Sequence, residues 1–239
     1  MPAPLIWISG ASGGIGSALA RQSPYPGARI INLDIKPSET LENFAFDLAN
    51  PGDWNRVKEQ FSDELAGFAG RVMFLHCAYV PQGKGMVTEV DHGDYQRSLI
   101  ANTAGSLSLA ASFLRALRPE HDGGMLLMSS KAAQYSLLGY TSYSSSKVAI
   151  EKWVKIARKE VLHRGWGPWI VAARPGLVDT PTARAAANLD ASVFPLGPAM
   201  GKDLDQKAMT ADTAAQRLWQ ALPPQADQWL IDLDEESRP

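Results

Sequence analysis

The sequence predicts one α/β domain in which helices wrap both faces of a seven-stranded parallel sheet, a doubly wound arrangement. Its 239 residues are a common length for a single α/β domain. Short apolar runs alternate with longer helix-like stretches along the whole chain, which is typical of repeated βα units. Most of these runs are continuously apolar, as in strands buried on both faces. Residues 1–239 are therefore predicted to form one domain.

The individual elements follow from apolar runs and helical periodicity. Seven candidate strands cover residues 5–9, 29–34, 43–48, 72–77, 125–130, 169–174 and 229–233. A packing helix between the third and fourth strands is indicated by apolar residues at three- and four-residue steps: Trp54, Val57, Phe61, Leu65 and Phe68. Two more helices are predicted at about 95–117 and 143–163. Residues 177–208 contain three prolines and two glycines without clear periodicity, which predicts an irregular excursion.

Composition argues against several classes of partner. The 23 basic and 25 acidic residues give a net charge of −2 without a basic stripe, so no nucleic acid is expected. No apolar run approaches the roughly 20 residues of a membrane span. The N-terminus has no basic segment of the signal-peptide type, and the single cysteine, Cys77, fits a reducing compartment. We therefore expect a cytoplasmic protein without a membrane or metal partner.

A glycine-rich turn follows the first strand directly. In "SGASGGIGSALA" the glycines at 10, 14 and 16 permit a tight turn and a close approach of the backbone to a pyrophosphate. A helix that opens there offers free N–H groups to the phosphates. The turn predicts a dinucleotide site in which Gly10, Ser12, Gly14, Ile15 and Gly16 contact the cofactor.

The residue that ends the second strand bears on the choice of cofactor. Asp34 lies 18 residues beyond Gly16, where a carboxylate hydrogen-bonds the adenosine ribose and repels a 2′-phosphate. This favours NAD over NADP. A surface Asp at a strand end is the alternative reading, and Lys36 nearby keeps NADP open.

Taken in order, the motifs resemble those of the short-chain dehydrogenase/reductase family. They are the glycine pattern, the serines at 129 and 130, "YSSSK" at 143–147 and "RPGLVDT" at 174–180. The resemblance covers nearly the full chain and implies a Rossmann fold and an NAD(P)-dependent oxidoreductase acting on CH–OH or C=O groups. The C-terminal part is more similar to the sepiapterin reductase and benzil reductase branch, which mostly uses NADPH. Asp34 argues against NADPH here, because its charge acts directly on the 2′-phosphate.

Tyr143 and Lys147 have a chemical reason to act together. Four residues apart at a helix start, they share one face. A nearby ammonium favours phenolate, so we expect Lys147 to lower the pKa of Tyr143 from about 10. Tyr143 could then exchange a proton with a substrate alcohol or carbonyl near neutral pH.

The resemblance implies roles for further residues. Ser130 would polarise the reacting oxygen, while Ser129 should point away because alternate strand residues face opposite sides. Lys147 would bond the nicotinamide ribose, and Asn102 would support Lys147 through a bound water, although a buried Asn can also merely cap or bridge helices. The other implied cofactor contacts are Asp47, Leu48, Ala78, Pro175, Gly176, Val178 and Thr180. For Asp47 and Leu48 a plain strand end is a comparable reading.

One segment departs from the family pattern. After the fourth strand the usual N-N-A-G is replaced by "HCAY", residues 76–79, in which only Ala78 is retained. A tyrosine in place of glycine restricts the backbone, which puts the adenosine contacts there in doubt. His76 falls on the adenosine side, so we expect a structural role for it, and Cys77 is expected to be a buried thiol.

Substrate contacts are expected from the loops around Tyr143. The candidates are Gln134, Tyr140, Leu177, Phe194 and Met200, with the last two on a mobile lid within about 177–208. Their apolar and aromatic character suggests a hydrophobic ketone or alcohol. The resemblance further implies a homodimer or homotetramer formed through the helices that hold Asn102 and Tyr143.

The sequence thus predicts hydride transfer between NAD(H) and a small-molecule carbonyl or alcohol, with Tyr143 as general acid or base. One alternative is an NADPH-dependent reductase of diketone or pterin-like carbonyls. Another is a dinucleotide-binding sensor without catalysis, although such relatives typically lack the tyrosine, lysine or serine that are present here.

Overall fold

A computed structural model describes residues 2–165 and 167–234. Its main sheet contains seven parallel strands, as predicted. The strands are β1 Leu5–Ser9, β2 Arg29–Asp34, β3 Glu42–Ala45, β4 Arg71–His76, β5 Asp122–Met128, β6 Trp169–Arg174 and β9 Leu230–Asp232. Their order in the sheet is β3-β2-β1-β4-β5-β6-β9. A separate parallel pair is formed by β7 Val178–Asp179 and β8 Met209–Thr210.

Eight α-helices connect and flank the strands in the described part of the chain. They are α1 Gly14–Arg21, α2 Pro51–Ala66, α3 His92–Leu99, α4 Ser106–Ala116, α5 Thr141–His163, α6 Pro181–Ala187, α7 Gly197–Gln206 and α8 Ala211–Gln220. A π-helical segment, Ile100–Gly105, joins α3 to α4, so the single helix predicted at 95–117 is a run of three parts. None of these helices has the length and apolar character needed to cross a bilayer.

Two apolar cores hold the helices against the sheet. On one face α2, α4 and α5 cover a core in which Trp7, Phe61, Phe74 and Phe113 pack with ring centroids 5.2–6.1 Å apart. On the other face α1 and α8 contribute Leu19, Leu218 and Trp219. Both faces of the sheet are therefore buried, which explains why its central strands are continuously apolar.

The segment predicted to be an irregular excursion contains regular structure. It holds β7, α6 and α7, and β8 follows directly after it. Thr180 caps α6 by accepting the Ala183 N–H at 3.2 Å, and Pro181 occupies the first turn. This Thr-Pro signal for a helix start was in the sequence, but α6 is too short for its apolar periodicity to stand out.

The topology places one edge of the sheet as the natural ligand site. Successive strands build outward from β1 in one direction through β2 and β3, and in the other through β4, β5, β6 and β9. In such sheets the chain segments that follow the two strands at the point of reversal lead to opposite sides of the sheet and leave a crevice outside the carboxyl ends of the strands. Here that crevice opens between the ends of β1 and β4.

Candidate active site

A cleft of about 490 Å³ lies at this carboxyl edge. Its walls come from the loop after β1, the ends of β2, β4 and β5, the first turns of α5, and the segment after β6. Most residues predicted to contact the cofactor line it: Gly10, Ser12, Gly14, Ile15, Gly16, Asp34, Asp47, Leu48, Ala78, Tyr143, Lys147, Pro175 and Thr180. Gly176 and Val178 are not among the lining residues, and Val178 is buried in β7.

The glycines of the first loop are required by its geometry. Gly10 and Gly14 have φ of +76° and +51°, where a side chain is strained. A Cβ on Gly16 would lie 2.2 Å from the carbonyl oxygen of Gly10, so only glycine lets α1 approach the loop this closely. The first N–H groups of α1, which begins at Gly14, are therefore presented at the cleft.

A buried asparagine on β2 holds this loop in shape. Asn32 is fully buried; its Oδ1 accepts the Ala11 N–H at 3.1 Å and its Nδ2 donates to Ser12 Oγ at 3.0 Å. Asn32 was not among the site residues predicted from the sequence. The available signal was a single polar residue inside the apolar run 29–34, because a buried amide must find hydrogen-bond partners.

Asp34 stands at the rim of the cleft beside the glycine-rich loop. Its Oδ2 accepts the Ser12 N–H at 3.4 Å, and its Oδ1 accepts the Lys36 N–H at 3.1 Å. Lys36 also lines the cleft, so a carboxylate and an ammonium are both available at this end. The three close-packed glycines, the helix N-terminus and the rim carboxylate together fit a nicotinamide dinucleotide.

Asp47 and Leu48 have clear structural partners. Asp47 pairs with Arg97 at 2.9 Å and accepts the Ala49 N–H at 2.8 Å. The Leu48 side chain is buried, and its carbonyl accepts the Trp54 indole N–H at 2.9 Å. These contacts agree with the alternative that Asp47 and Leu48 are plain strand-end residues. Both residues also line the cleft, so their contact with the cofactor stays a prediction.

Tyr143, Ser130 and Lys147 meet at the other end of the cleft. The Ser130 hydroxyl lies within hydrogen-bonding reach of the Tyr143 phenol. Lys147 is buried, and its Nζ lies 5.5 Å from the centre of the Tyr143 ring and donates to the Met128 carbonyl at 2.8 Å. Ser129 points away, as expected, and donates to Glu151 at 2.7 Å.

The protonation of this group differs from the sequence prediction. Burial raises the pKa of Tyr143, and the hydrogen bond from Ser130 opposes this only in part. Burial also lowers the pKa of Lys147 to about 8. The expected lowering of the Tyr143 pKa by Lys147 is therefore not found, because burial of the phenol raises this pKa and the opposing contribution comes from Ser130.

Asn102 lies in the π-helical segment and holds the loop after β4. Its Oδ1 accepts the Val80 N–H at 2.8 Å, and its Nδ2 donates to the Val80 carbonyl at 2.9 Å and to Ser98 Oγ at 3.1 Å. These bonds join the helical segment to a loop, so they are neither the helix cap nor the helix-to-helix bridge of the alternative reading. A water-mediated link from Asn102 to Lys147 stays a prediction.

His76 has the structural role that was expected. Ser9 Oγ and Ser106 Oγ each lie 2.7 Å from one of its ring nitrogens. Burial, aided by the charge of Lys147, lowers the pKa of His76 to about 3. The ring is therefore neutral and fully engaged. Its neighbour Cys77 is only partly buried, and it lines the cleft.

Tyr79 lies against the reaction end of the cleft. Its ring packs edge-on to Tyr143, with the centroids 5.2 Å apart and the planes at 76°. From the sequence, residues 76–79 were expected at the adenosine side, and Tyr79 had no predicted part in the reaction end. The replacement of glycine was visible in the sequence, but the direction of the side chain was not.

The five predicted substrate residues fall into two groups. Tyr140 lies beside Tyr143 at 5.0 Å, and Phe194 stacks on Tyr140 at 4.3 Å, where it is only 1% exposed. Phe194 therefore supports Tyr140 in this structure and does not face the cleft. The other three lie apart from this stack: Gln134 is exposed after the 3-10 turn Lys131–Ala133, Leu177 precedes β7, and Met200 lies on α7.

A buried ionic group lies behind the reaction end. Arg174 pairs with Glu151 through two contacts of 2.7 Å and with Asp232 at 3.3 Å. It links the end of β6 to α5 and β9, and Ser129 adds β5. In the described residues no three His, Cys, Asp or Glu side chains are grouped to hold a metal ion.

Comparison with known families agrees with this geometry. A family model described as short chain dehydrogenase matches residues 4–190. The chain belongs to the short-chain dehydrogenase/reductase family.

Two named relatives in this family have low sequence identity to this chain. Mouse 3-ketodihydrosphingosine reductase is 23% identical over 197 residues, which cover 76% of this chain but only 58% of that protein. 2,3-Dihydro-2,3-dihydroxybenzoate dehydrogenase of Escherichia coli strain K12 is 24% identical over 179 residues, 75% of this chain and 71% of that protein. The chain thus spans little more than half the length of the mouse relative.

Solved structures share the fold over nearly the whole chain. A short-chain dehydrogenase family protein from Francisella tularensis has a TM-score of 0.77 at 19% identity, covering 98% of this chain and 97% of that one. Aldohexose dehydrogenase from Thermoplasma acidophilum has a TM-score of 0.75 at 18% identity, covering 99% and 95%. At these identities the likeness supports the fold alone.

Proposed function

We propose that this protein catalyses reversible hydride transfer between NAD(H) and a small carbonyl or alcohol substrate. The observation that carries the proposal is the meeting of Tyr143, Ser130 and Lys147 at one end of a cleft whose other end is the close-packed glycine loop. The family's members with assigned names include reductases and dehydrogenases, which is consistent with this reaction.

Three parts of the chain would hold the cofactor. The N–H groups at the start of α1 would bind its pyrophosphate, Asp34 its adenosine ribose, and the cleft wall at Pro175 and Thr180 its nicotinamide half. When bound, the nicotinamide supplies or accepts the hydride. Lys147 would contribute a buried ammonium next to this half of the cleft.

Tyr143 would move the proton. Its raised pKa keeps the phenol protonated at neutral pH, so it is ready to donate to a carbonyl oxygen as that oxygen gains charge. Ser130 would bind the same oxygen through its hydroxyl. In the oxidation direction Tyr143 would have to lose its proton first, and the Lys147 ammonium would favour that state.

NAD(H) is preferred over NADP(H) because of Asp34. A 2′-phosphate would approach a carboxylate that is already held in place by the N–H groups of Ser12 and Lys36. The ammonium of Lys36 is the feature that would favour NADP(H) instead. An NADPH-dependent reductase of diketone or pterin-like carbonyls is therefore the alternative function.

The proposal is tested by two measurements on the wild-type protein. Fluorescence titration with NADH and NADPH should give the lower Kd for NADH. Oxidation of NADH, followed by absorbance with a panel of diketones, quinones and aldehydes, should show turnover. Tight NADH binding with no turnover across the panel would contradict the enzyme and support a sensor, and tighter NADPH binding would contradict the role of Asp34.

Homo-oligomerisation through α5 is a further part of this proposal. Large apolar side chains are exposed on that helix, with Val148 at 49% and Ile156 at 46%. Exposed apolar side chains on one helix favour contact with another chain. Light scattering should give the mass of a dimer or tetramer, and a monomer would contradict this part.

A further inference from the structure

We propose that the substrate carries a carboxylate, and that Lys84 binds this group while the ring of Tyr79 lines the path from there to Tyr143. This rests on the proposed function, because it assigns the substrate class of that same site. The proposal comes from the loop that follows β4, residues 77–90, and from a cation that this loop places near Tyr143.

The loop after β4 is held in place by hydrogen bonds to other segments. Asn102 bonds both the N–H and the carbonyl of Val80. Ser142 donates to the Gly83 carbonyl at 2.8 Å, and the Gly85 N–H donates to the Gly139 carbonyl at 3.0 Å. The loop is thus attached at three points to the segments that precede and carry Tyr143.

The path of this loop requires glycine on both sides of Lys84. Gly83 and Gly85 have φ of +74° and +138°. A Cβ on Gly83 would lie 2.9 Å from Ser98 Cβ and 3.0 Å from the Asp94 carbonyl. The chain therefore follows a path that most residues cannot adopt, and Lys84 is held at its turning point.

The Lys84 ammonium lies over an aromatic ring near Tyr143. Its Nζ lies 5.5 Å from the centre of the Tyr79 ring, whose edge-on partner is Tyr143. Lys147 Nζ lies 5.7 Å from the same ring. Lys84 therefore lies against the ring that contacts the reacting phenol.

The Lys84 ammonium has no acidic partner among the described residues. Its Nζ donates to the Pro81 carbonyl, and no ion pair with an Asp or Glu is formed within residues 2–165 and 167–234. The side chain is only partly exposed, and burial lowers its pKa to about 8, so it is still mostly protonated at neutral pH. A half-buried ammonium with free N–H donors favours an anionic ligand.

The positions of Tyr143, Ser130 and Lys84 indicate which two groups the substrate carries. The carbonyl would lie at Tyr143 and Ser130, and the carboxylate about one aromatic ring away at Lys84. A single ammonium matches the single charge of a carboxylate, and the rings of Tyr79 and Tyr140 suit a flat spacer between the two groups. An aromatic aldehyde with a para carboxylate has this spacing.

The test uses 4-formylbenzoate and its methyl ester, which differ in the charge and in one methyl group. Binding is measured by calorimetry on protein loaded with NAD⁺ or NADP⁺, whichever it binds, so that no reduction occurs. Wild type should bind the acid at least about 10-fold more tightly than the ester, as expected for a charge-assisted hydrogen bond. Lys84→Met should remove this preference, and Lys84→Arg should keep it. Lys159→Met, a charge loss at an exposed site on α5, should also keep it.

Turnover of the reduced cofactor separates the two proposals. Acid preference in binding without any oxidation of NADH or NADPH would support the Lys84 site and contradict the proposed reaction. Oxidation without acid preference would support the reaction and overturn the Lys84 site. Equal binding of acid and ester, no binding of either, or an acid preference that survives in folded Lys84→Met would each overturn it.

Discussion

The two ends of the cleft are built in different ways. At the cofactor end, shape comes from the backbone: three glycines, the start of α1 and the amide of Asn32 fix the loop. At the reaction end, shape comes from side chains: Tyr143 is held between the rings of Tyr79 and Tyr140. Changes at the first end should therefore act on cofactor affinity, and changes at the second on turnover or on the packing behind it.

The largest effect on stability is expected at the ionic group behind the reaction end. Arg174→Met leaves Glu151 and Asp232 buried without their cation. Removing one partner of a buried pair costs about 3–5 kcal/mol, so urea denaturation at pH 7 should show a loss of this size in the free energy of unfolding.

The matched control breaks an exposed pair of the same type. Arg71→Met removes the partner of Asp122 at the surface, where such pairs contribute about 0–1 kcal/mol. Equal losses in the two variants would show that the buried group does not support the reaction end as described.

A second variant disturbs the cofactor end alone. Gly16→Ala places a methyl group against the Gly10 carbonyl, which must push α1 away from the loop. We expect NADH affinity to fall by about 100-fold, or about 2.7 kcal/mol, in a fluorescence titration. Gly13→Ala is the control, because a Cβ there meets no atom within 4 Å, and its loss should be much smaller. Similar losses in both would contradict the backbone account.

A third change should alter cofactor choice more than affinity. Asp34→Ser removes the carboxylate that would repel a 2′-phosphate. The ratio of the Kd values for NADPH and NADH should fall by about 10-fold, or about 1.4 kcal/mol. Asp47→Asn, also in the cleft wall, should leave this ratio within about 2-fold. An unchanged ratio in Asp34→Ser would place the discrimination elsewhere.

A fourth expected effect is a change in the pH dependence of stability, which develops gradually over the pH range measured. Lys147 has a pKa of about 8 when folded and an ordinary value of 10.5. Between these values the unfolded chain binds the proton and the folded chain does not, so this group makes stability rise with pH. Its share is at most about 1.4 kcal/mol per pH unit.

Comparison of wild type with Lys147→Met by urea denaturation between pH 8 and 10 isolates this share. Lys84, whose pKa is also lowered to about 8, contributes equally to both proteins and cancels. The variant should show the shallower rise. Parallel curves would mean that Lys147 is not desolvated as the structure indicates.

The same contrast explains what the sequence could predict. The seven strands of the parallel sheet and the glycine turn depend on apolar runs and on spacing along the chain, and both predictions were correct. The pairing of Tyr143 with Lys147 is a local property of one helix face, so it too could be predicted. Asn32 was missed although its polar character in an apolar strand was visible.

The rest depends on contacts between segments distant in sequence. The direction of Tyr79 is set by bonds from the loop after β4 to Asn102 and to Gly139, more than 20 and 50 residues further along the chain. The raised pKa of Tyr143 results from burial by several such segments, which a single motif does not reveal. The helices α6 and α7 were missed because they are short, and because the prolines in their first turns were interpreted as signs of an irregular segment.

The division between the two ends is tested most directly with Tyr143→Phe, measured for both cofactor binding and turnover. The ring contacts stay, but the proton donor is lost. We expect kcat to fall by about 10²–10⁴-fold with the best carbonyl of the panel, while the Kd for NADH stays within about 3-fold. Tyr140→Phe, which keeps the stack on Phe194, should lose far less activity. Retention of more than about a tenth of wild-type kcat in Tyr143→Phe would contradict the account.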